Sequence, residues 1–194
     1  MPNLLNTLAP NATTMIRMDH THVLATFHRF KASSSASQKL AIAKTICTAL
    51  EIHAQLEEEI FYPALEAVMS GSPELGKSVP EHDAMRQQIA RLRGLEAGSL
   101  EFDDTVMALM RDVMHHVADE ETVLLPAAER DLPDRLGELG ARMTRRRLEL
   151  VGPRVGEIAV NSARAMPVTT LLALGTVAAG LGAWAVHSRR RLAA

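Results

Sequence analysis

Cysteine, aromatic residues and excess positive charge are all scarce in this chain. The single cysteine, Cys47, excludes an internal disulfide and any metal or haem-attachment motif built from cysteines, and we expect it to be a buried apolar thiol. Only 3% of the residues are aromatic and strand signals are few, so the composition indicates a mostly helical protein. The net charge of −2 offers no basic surface for nucleic acid.

One long apolar run is present near the C-terminus. Residues 168–186 are 19 uncharged, mostly apolar residues, bounded by Arg164 and by three arginines at 189–191. A helix of this length spans about 28 Å, close to the hydrocarbon core of a bilayer. We therefore expect a transmembrane anchor at residues 166–188, the alternative being a soluble helix buried in an oligomer. The N-terminus lacks a signal-peptide pattern, which predicts that the preceding domain is cytoplasmic and attached to the membrane by the C-terminal helix.

Clusters of Ser, Gly and Pro divide the rest of the chain into helical segments. Four segments carry an apolar stripe at helical spacing, and each stripe includes a histidine. A fifth, arginine-rich segment follows, and we expect residues 132–165 to be a helical connector between the domain and the anchor. The four segments are residues 12–31, 38–69, 78–96 and 101–131.

A pattern of histidines and acids occurs twice in these segments. Its copies are His53 with Glu57 and His116 with Glu120, 63 residues apart, and Asp19-His20 and Glu81-His82, 62 residues apart. The chain therefore resembles a helix hairpin written twice, which predicts an all-α protein with an up-down four-helix bundle. Helix lengths counted from the turns place the four histidines of these copies near one level of the bundle.

The spacing of the repeated pairs indicates a metal site. Side chains four residues apart share one helix face, and a buried carboxylate needs a cation, yet no lysine lies on these stripes. Four imidazoles and two carboxylates are too many for one four-coordinate zinc, and they suit two metals bridged by both carboxylates. Imidazole with carboxylate favours iron, with zinc, manganese and nickel as alternatives. The competing interpretation is a set of core histidines hydrogen-bonded to nearby acids.

These residues resemble a known family. Asp-His at 19–20, HAQLEEEIFYP at 53–63, Glu-His at 81–82 and HVADEETVLLP at 116–126 are similar to the hemerythrin-like, HHE cation-binding domain over about residues 12–131. The resemblance implies a four-helix bundle with two non-haem iron ions. It also implies that His20, His53, His82 and His116 are the terminal ligands and that Glu57 and Glu120 bridge the two ions.

One position departs from the oxygen-carrying members of that family. They have a further histidine one turn after the ligand of the third helix, and this chain has Arg86 there. A guanidinium cannot ligate iron, which argues against simple reversible carriage of O2. We expect Arg86 to pair with Glu121 or with another acid at the rim.

Several neighbouring residues are alternatives to this ligand set. Glu121 could replace Glu120 as the bridge. His115 with Asp119 has the same spacing but lies off the stripe by about 100°. His22, Glu58 and Glu59 are expected to be solvated, and His28 flanks the apolar stripe. Tyr62 is expected to pack between helices, and Pro63 and Pro126 to kink or loosen their helices.

Three functions fit such a centre. The first is a module attached to the membrane that binds or responds to a small diatomic gas (O2 or NO) or to peroxide. We adopt this function. We expect no nucleic-acid partner, and the sequence identifies no protein partner. The second is an enzyme that decomposes peroxide or reduces NO. The third is storage of iron or repair of iron clusters. Peroxide dismutation is the enzymatic reaction that best suits the chain, because it needs no external electrons and no flavin or nicotinamide motif is visible.

Overall fold

The computed structural model describes residues 9–165, which form helices and no strands. The elements are α1 (Ala12–His28), α2 (Ala36–Leu56), a π-helical turn (Glu57–Phe61), α3 (Tyr62–Met69), α4 (Pro73–Gly94), α5 (Leu100–Asp119), a second π-helical turn (Glu120–Leu124), α6 (Leu125–Asp131), α7 (Leu136–Val151), a 3-10 turn (Gly152–Arg154) and α8 (Val155–Ala165). Each π-turn joins the helices on either side of it into one long rod. Four rods therefore form a helical bundle in which each packs against its neighbours in the chain, and the first packs against the last.

Each rod of the bundle begins at a polar side chain that caps it. The side chain oxygen accepts a backbone N–H three residues further on, which satisfies one of the free donors of the first turn. Gly71 and Gly98 precede two of these caps and have φ of 80° and 92°, a backbone conformation that favours glycine. The caps and their donors are Asn11 with Thr14, Ser35 with Gln38, Ser72 with Leu75, and Ser99 with Phe102.

The third rod begins earlier than the sequence predicted. Helix α4 starts at Pro73 rather than near residue 78. Proline at the first helical position costs nothing, because the N–H that it lacks would have no partner there. Pro73 therefore belongs to the start of the helix, whereas the Ser-Gly-Pro cluster had suggested a longer break.

The two prolines predicted to loosen helices lie just after the π-helical turns. Proline lacks an N–H and its ring crowds the carbonyl four residues earlier, so an unbroken α-helix disfavours it. In the turns, the N–H groups of Tyr62 and Leu125 bond to the carbonyls of Glu57 and Glu120, five residues back. The prolines at 63 and 126 thus accompany a widened turn that starts at a glutamate of the repeated pattern.

Two apolar clusters fill the bundle, one on each side of the histidine layer. Along α1, Ile16 belongs to one cluster and Val23 to the other, with His20 between them. Cys47 is buried in the second cluster, as expected, and burial raises the pKa of its thiol to about 12. The layer of polar side chains therefore lies between two apolar clusters.

The segment predicted as a connector packs along the bundle. Helix α7 lies against α1 and α2, and α8 lies against α2. Leu136, Leu139 and Met143 of α7 are buried in the first apolar cluster. Residues up to 165 are therefore packed against the same body as the four rods.

The predicted transmembrane anchor, residues 166–188, lies outside the described residues. No helix within residues 9–165 is long and apolar enough to cross a membrane. The anchor remains a prediction from the sequence.

Gly140 of α7 should be essential for docking this helix. A Cβ at this position would meet the carbonyl oxygen of Pro10 at 2.1 Å, whereas a Cβ at Gly137, on the same helix, meets nothing within 4 Å. We expect Gly140→Ala to lower the free energy of unfolding by about 1–3 kcal/mol, because backbone must move to relieve the contact. Gly137→Ala is the matched control and should be neutral or slightly stabilising, since alanine favours helix. Urea unfolding of both variants tests this, and equal stabilities would contradict it.

Candidate metal centre

The structure brings the six predicted ligands into one layer of the bundle. All six side chains are buried, and the carboxyl groups of Glu57 and Glu120 are inaccessible to solvent. They form two overlapping groups whose ligand atoms lie within 4.8 Å of one another. One group is His53, Glu57, His82 and His116, and the other is His20, His53, Glu57 and Glu120.

The Nε2 atoms of the four histidines point at the two carboxylates. On the helix that carries the first pair, His53 Nε2 is 3.1 Å from Glu57 Oε2, and on the helix of the second pair His116 Nε2 is 3.4 Å from Glu120 Oε2. Across the bundle, the Nε2 atom of His20 is 3.0 Å from Glu120 Oε2. The π-turns begin at these glutamates, so the helix widens where its carboxylate enters the layer.

Two polar atoms of this layer have no hydrogen-bond partner. They are Nε2 of His53, which lies 3.1 Å from Glu57 Oε2 without hydrogen-bond geometry, and Oε1 of Glu57, both shielded from solvent. Buried polar atoms are nearly always paired, and leaving one unpaired costs roughly 1–3 kcal/mol. Core histidines hydrogen-bonded to acids, the competing interpretation, would leave no such atoms. A cation held by both atoms would satisfy them.

A second conflict exists between His82 and His116. Their Nε2 atoms are 3.0 Å apart. The Nδ1 atom of His82 faces Glu58 at 2.8 Å, and that of His116 faces Glu81 at 2.8 Å, so each ring donates its N–H outward. Both Nε2 atoms then present lone pairs to each other, which is repulsive unless a cation lies between them. The donor set therefore fits metal ions.

An acid stands at the outer nitrogen of every histidine in the layer. Such outer carboxylates fix the tautomer and the orientation of metal-bound imidazoles. Each acid belongs to a repeated motif, as the residue before a histidine or as the second acid of a Glu-Glu pair. The pairs are His20 with Glu121 at 2.9 Å, His82 with Glu58 at 2.8 Å, His116 with Glu81 at 2.8 Å and His53 with Asp19 at 3.6 Å.

One prediction about these acids needs correction, and one alternative can now be placed. Glu58 was expected on a solvated face, but it contacts the ring of His82. Glu121, the alternative to Glu120, is the outer partner of His20, and the preferred Glu120 occupies the buried position. The second acid of each Glu-Glu pair is turned by about 100° from the first, which directs it toward the next helix.

Arg86 also has a defined partner. It donates to both oxygens of Glu58, at 2.7 and 2.8 Å, and to Asp83 at 2.8 Å. Of the two partners that the sequence left open, the structure shows another acid, Glu58, while Arg17 contacts Glu121 at 3.0 Å. Arg86 therefore holds the acid that contacts His82, in the region where oxygen carriers have another ligand.

Tyr62 was assigned to helix packing from the sequence, and its contact with the carboxylates was missed. Its hydroxyl lies 2.9 Å from Glu120 Oε1 and 3.1 Å from Glu57 Oε2, and its ring stacks on His82. The phenol carries one proton and can donate it to one carboxylate at a time. The signal in the sequence was its position five residues after Glu57, where the second copy has Leu125.

Burial and neighbouring charges shift the pKa values of Glu57 and Glu120 in opposite directions. Burial and the negative charge of Glu120 raise the pKa of Glu57 well above its ordinary value. Burial also opposes ionisation of Glu120, but a hydrogen bond from His20 and the nearby imidazoles lower its pKa to about 2. Glu57 is thus the carboxyl group that is harder to ionise in the absence of a cation.

The remaining candidates lie outside the layer. Exposed side chains are found at His22, His28 and His115. Asp119 forms an ion pair with Lys77 at 2.5 Å. His115 and Asp119 therefore do not form a second ligand pair.

The metal-free protein should become less stable in acid because of His82. Burial and the charges of His116 and His53 lower the pKa of His82 from 6.5 to about 2. The unfolded chain binds this proton below pH 6.5 and the folded chain does not, so stability is lost as the pH falls from 6.5, by about 1.4 kcal/mol per unit. We expect His82→Gln to reduce this slope, to which the buried His53 also contributes, measured by urea unfolding between pH 7 and 4.5. His28→Gln, at an exposed position, is the control, and equal slopes in the two variants would contradict the expectation.

Comparisons with known proteins agree with this geometry. The model of the Hemerythrin HHE cation binding domain matches residues 11–129. A crystal structure of a hemerythrin HHE cation binding domain-containing protein from Mycobacterium kansasii superposes with a TM-score of 0.63 at 20% identity, covering 81% of this chain and 99% of that one, which shows a shared fold.

A curated relative adds a further likeness. A protein named DNA nickase from Nostoc sp. is 29% identical over 122 residues, which is 63% of this chain. The chain spans only about a third of the length of that relative, 34%. The match of the family model over most of the chain confirms the resemblance seen in the sequence, and the chain belongs to the hemerythrin HHE cation-binding domain family.

Proposed function

We propose that this chain binds two non-haem iron ions and uses them to bind or respond to O2, NO or peroxide. The proposed ligands are His20, His53, His82, His116, Glu57 and Glu120. The observation that carries the proposal is the pair of overlapping ligand groups, which share His53 and Glu57 and bury every ligand atom. Membrane attachment through residues 166–188 is part of the proposal and is supported by the composition of that segment.

The type of ligand supports iron. Imidazole with carboxylate, without cysteine, suits iron, and six ligands exceed what one tetrahedral zinc can accept. Two ions would neutralise the two buried carboxylates and occupy the facing lone pairs of His82 and His116. The outer acids donate negative charge to the rings and keep each Nε2 atom free for the metal.

The surroundings of the centre suit a small uncharged molecule. A small cavity beside the four imidazoles is otherwise lined mainly by Val23, Leu50, Met85 and Val113. Apolar walls exclude water and do not discriminate against O2 or NO. Bound iron would supply the oxidation-state change and the exchangeable position, and the chain would supply the dry pocket and the fixed ligands.

A second candidate is peroxide decomposition, and Tyr62 is the observation that favours it. Its hydroxyl is a buried proton donor in contact with both proposed bridging carboxylates. Burial and the charges of Glu57 and Glu120 raise the pKa of this phenol, so its proton is retained at neutral pH. Cleavage of the O–O bond of peroxide leaves oxygen atoms that must gain protons, and the retained O–H of Tyr62 is placed to hydrogen-bond one of them.

The activity named for the Nostoc relative is not part of this proposal. The chain covers 34% of that protein, and its net charge of −2 does not favour a DNA backbone.

Iron content tests the ligand set. Anaerobically reconstituted protein should hold about two irons per chain, because two ligand groups are present. The double variant His53→Ala with His116→Ala should lose this iron and also stability, since Glu57 and Glu120 lose their partners. The matched control is His28→Ala with His115→Ala, two exposed histidines, which should keep both irons. One zinc per chain, or full iron content in the first double variant, would contradict the proposal.

Optical spectra of the iron-loaded protein test the choice of small molecule. We expect new absorption after addition of O2, NO or peroxide to the reduced protein, because a molecule that binds or oxidises the iron would change its ligands or its oxidation state. Sustained peroxide loss that is slowed in Tyr62→Phe, at unchanged iron content, would identify the enzyme. Iron that is released stoichiometrically to an acceptor, with no spectral response to any of the three molecules, would point to iron handling instead.

A further inference from the structure

We propose that Arg147 is a positioning residue of the metal centre, although it lies on a helix outside the four rods and beyond the residues that the family model matches. It acts through Asp19, whose carboxylate faces the ring of His53. The inference rests on the proposed function, because it assumes that His53 is a ligand.

Arginines hold three of the four outer acids in place. Arg17 holds Glu121 beside His20, and Arg86 holds Glu58 beside His82. Each of these arginines belongs to the four rods. Arg147 does the same for Asp19 beside His53, but it comes from α7, 128 residues further along the chain.

The contact between Arg147 and Asp19 is bidentate. Nη1 donates to Oδ1 at 2.7 Å, and Nη2 donates to Oδ2. The Oδ2 atom is also the one that faces Nδ1 of His53, at 3.6 Å. A fork of two parallel hydrogen bonds fixes both the position and the plane of a carboxylate. The plane of Asp19, and with it the orientation available to His53, is therefore set by Arg147.

Packing alone does not hold Asp19. A cavity of about 220 Å³ lies between α1, α2, α7 and α8, and both Asp19 and Arg147 line it. The other walls include Ile52, Val151 and Ile158. Free volume on that side would let the carboxylate rotate away from the imidazole, so the arginine supplies the restraint that neighbouring side chains do not.

His53 is the histidine for which such a restraint matters most. It belongs to both ligand groups, whereas each of the other histidines belongs to one. Its outer acid is also the most distant of the four, at 3.6 Å against 2.8–2.9 Å. A change at Asp19 would therefore disturb the ligand that lies where the two groups overlap, and with it the iron that this ligand binds.

The sequence of α7 explains why this arginine faces inward. Leu136, Leu139 and Met143 are buried on one face, and Arg147 follows Met143 by four residues on the same face. Arg146 is turned by about 100° and pairs instead with Glu59 at the surface, at 2.7 and 3.0 Å. Arg147 contacts an outer acid and Arg146 does not, so substitution of each arginine in turn tests the effect of that contact.

The experiment compares Arg147→Gln with Arg146→Gln in the full-length, iron-loaded protein. The measurements are the rate at which a chelator removes iron and the absorption spectrum of the bound metal. Loss of an outer partner of a metal ligand lowers metal affinity about 10–100-fold, so we expect iron loss at least about tenfold faster in Arg147→Gln. Arg146→Gln should match the wild type in both measurements.

Asp19→Asn, alone and combined with Arg147→Gln, tests the route. The double variant should lose iron no faster than Asp19→Asn alone, and its spectrum should shift no further, since both changes break one chain of contacts. Arg147→Lys keeps the charge but not the fork, and it should fall between the wild type and Arg147→Gln. It also provides a folded comparison if Arg147→Gln is too unstable to load.

Two results would overturn the proposal. One is iron loss from Arg147→Gln, or from Arg147→Lys where only that variant loads, at the rate of Arg146→Gln. The other is additive effects of Arg147→Gln and Asp19→Asn, which would show that the arginine does not act through this carboxylate. Wild-type protein that binds no iron would contradict the proposed function itself, and the variants then need not be compared.

Discussion

The burial of Glu57 and Glu120 in one layer is the constraint on which the rest of the structure depends. Two carboxylates that are inaccessible to solvent repel each other and lose their hydration, and each loss costs several kcal/mol unless positive charge compensates it. Three features partly compensate this cost. They are the inward Nε2 atoms of four imidazoles, the acids at the outer nitrogens of these rings, and the hydroxyl of Tyr62. None of them fully compensates it, since Oε1 of Glu57 and Nε2 of His53 stay unpaired among the described residues.

Proline links the sequence to this layer through the backbone. In both copies it stands six residues after the buried glutamate, and a π-helical turn runs from that glutamate almost to the proline. The turn adds a residue to the helical repeat and shifts the face on which later side chains lie. It allows the same rod to direct a carboxylate into the layer and then present apolar residues, such as Phe61 and Leu124, to the core beyond it. The prolines therefore act at the layer as well as at the end of the bundle.

Contacts between residues close in sequence could be predicted, whereas most contacts between residues far apart in sequence could not. The six inner residues followed from the sequence because spacing by four along a helix, and the lengths of two hairpins, are local geometry. The outer acids did not follow from the sequence, because the partner of Glu58 or Glu121 lies on another helix, and its position is known only from the structure. Arg147 was beyond reach for the same reason, because its partner lies 128 residues earlier. The π-turns were foreseen only as loosened helices, since proline indicates a disturbed helix without specifying its form.

The inner ligands repeat with two-fold symmetry, but their surroundings do not. Tyr62 contacts both carboxylates, while the corresponding residue of the second copy, Leu125, is apolar. One ligand group has three imidazoles and one carboxylate, and the other has two of each. The duplicated hairpin therefore supplies two copies of the inner ligands, while Tyr62 and the outer residues give the proposed centre asymmetric surroundings.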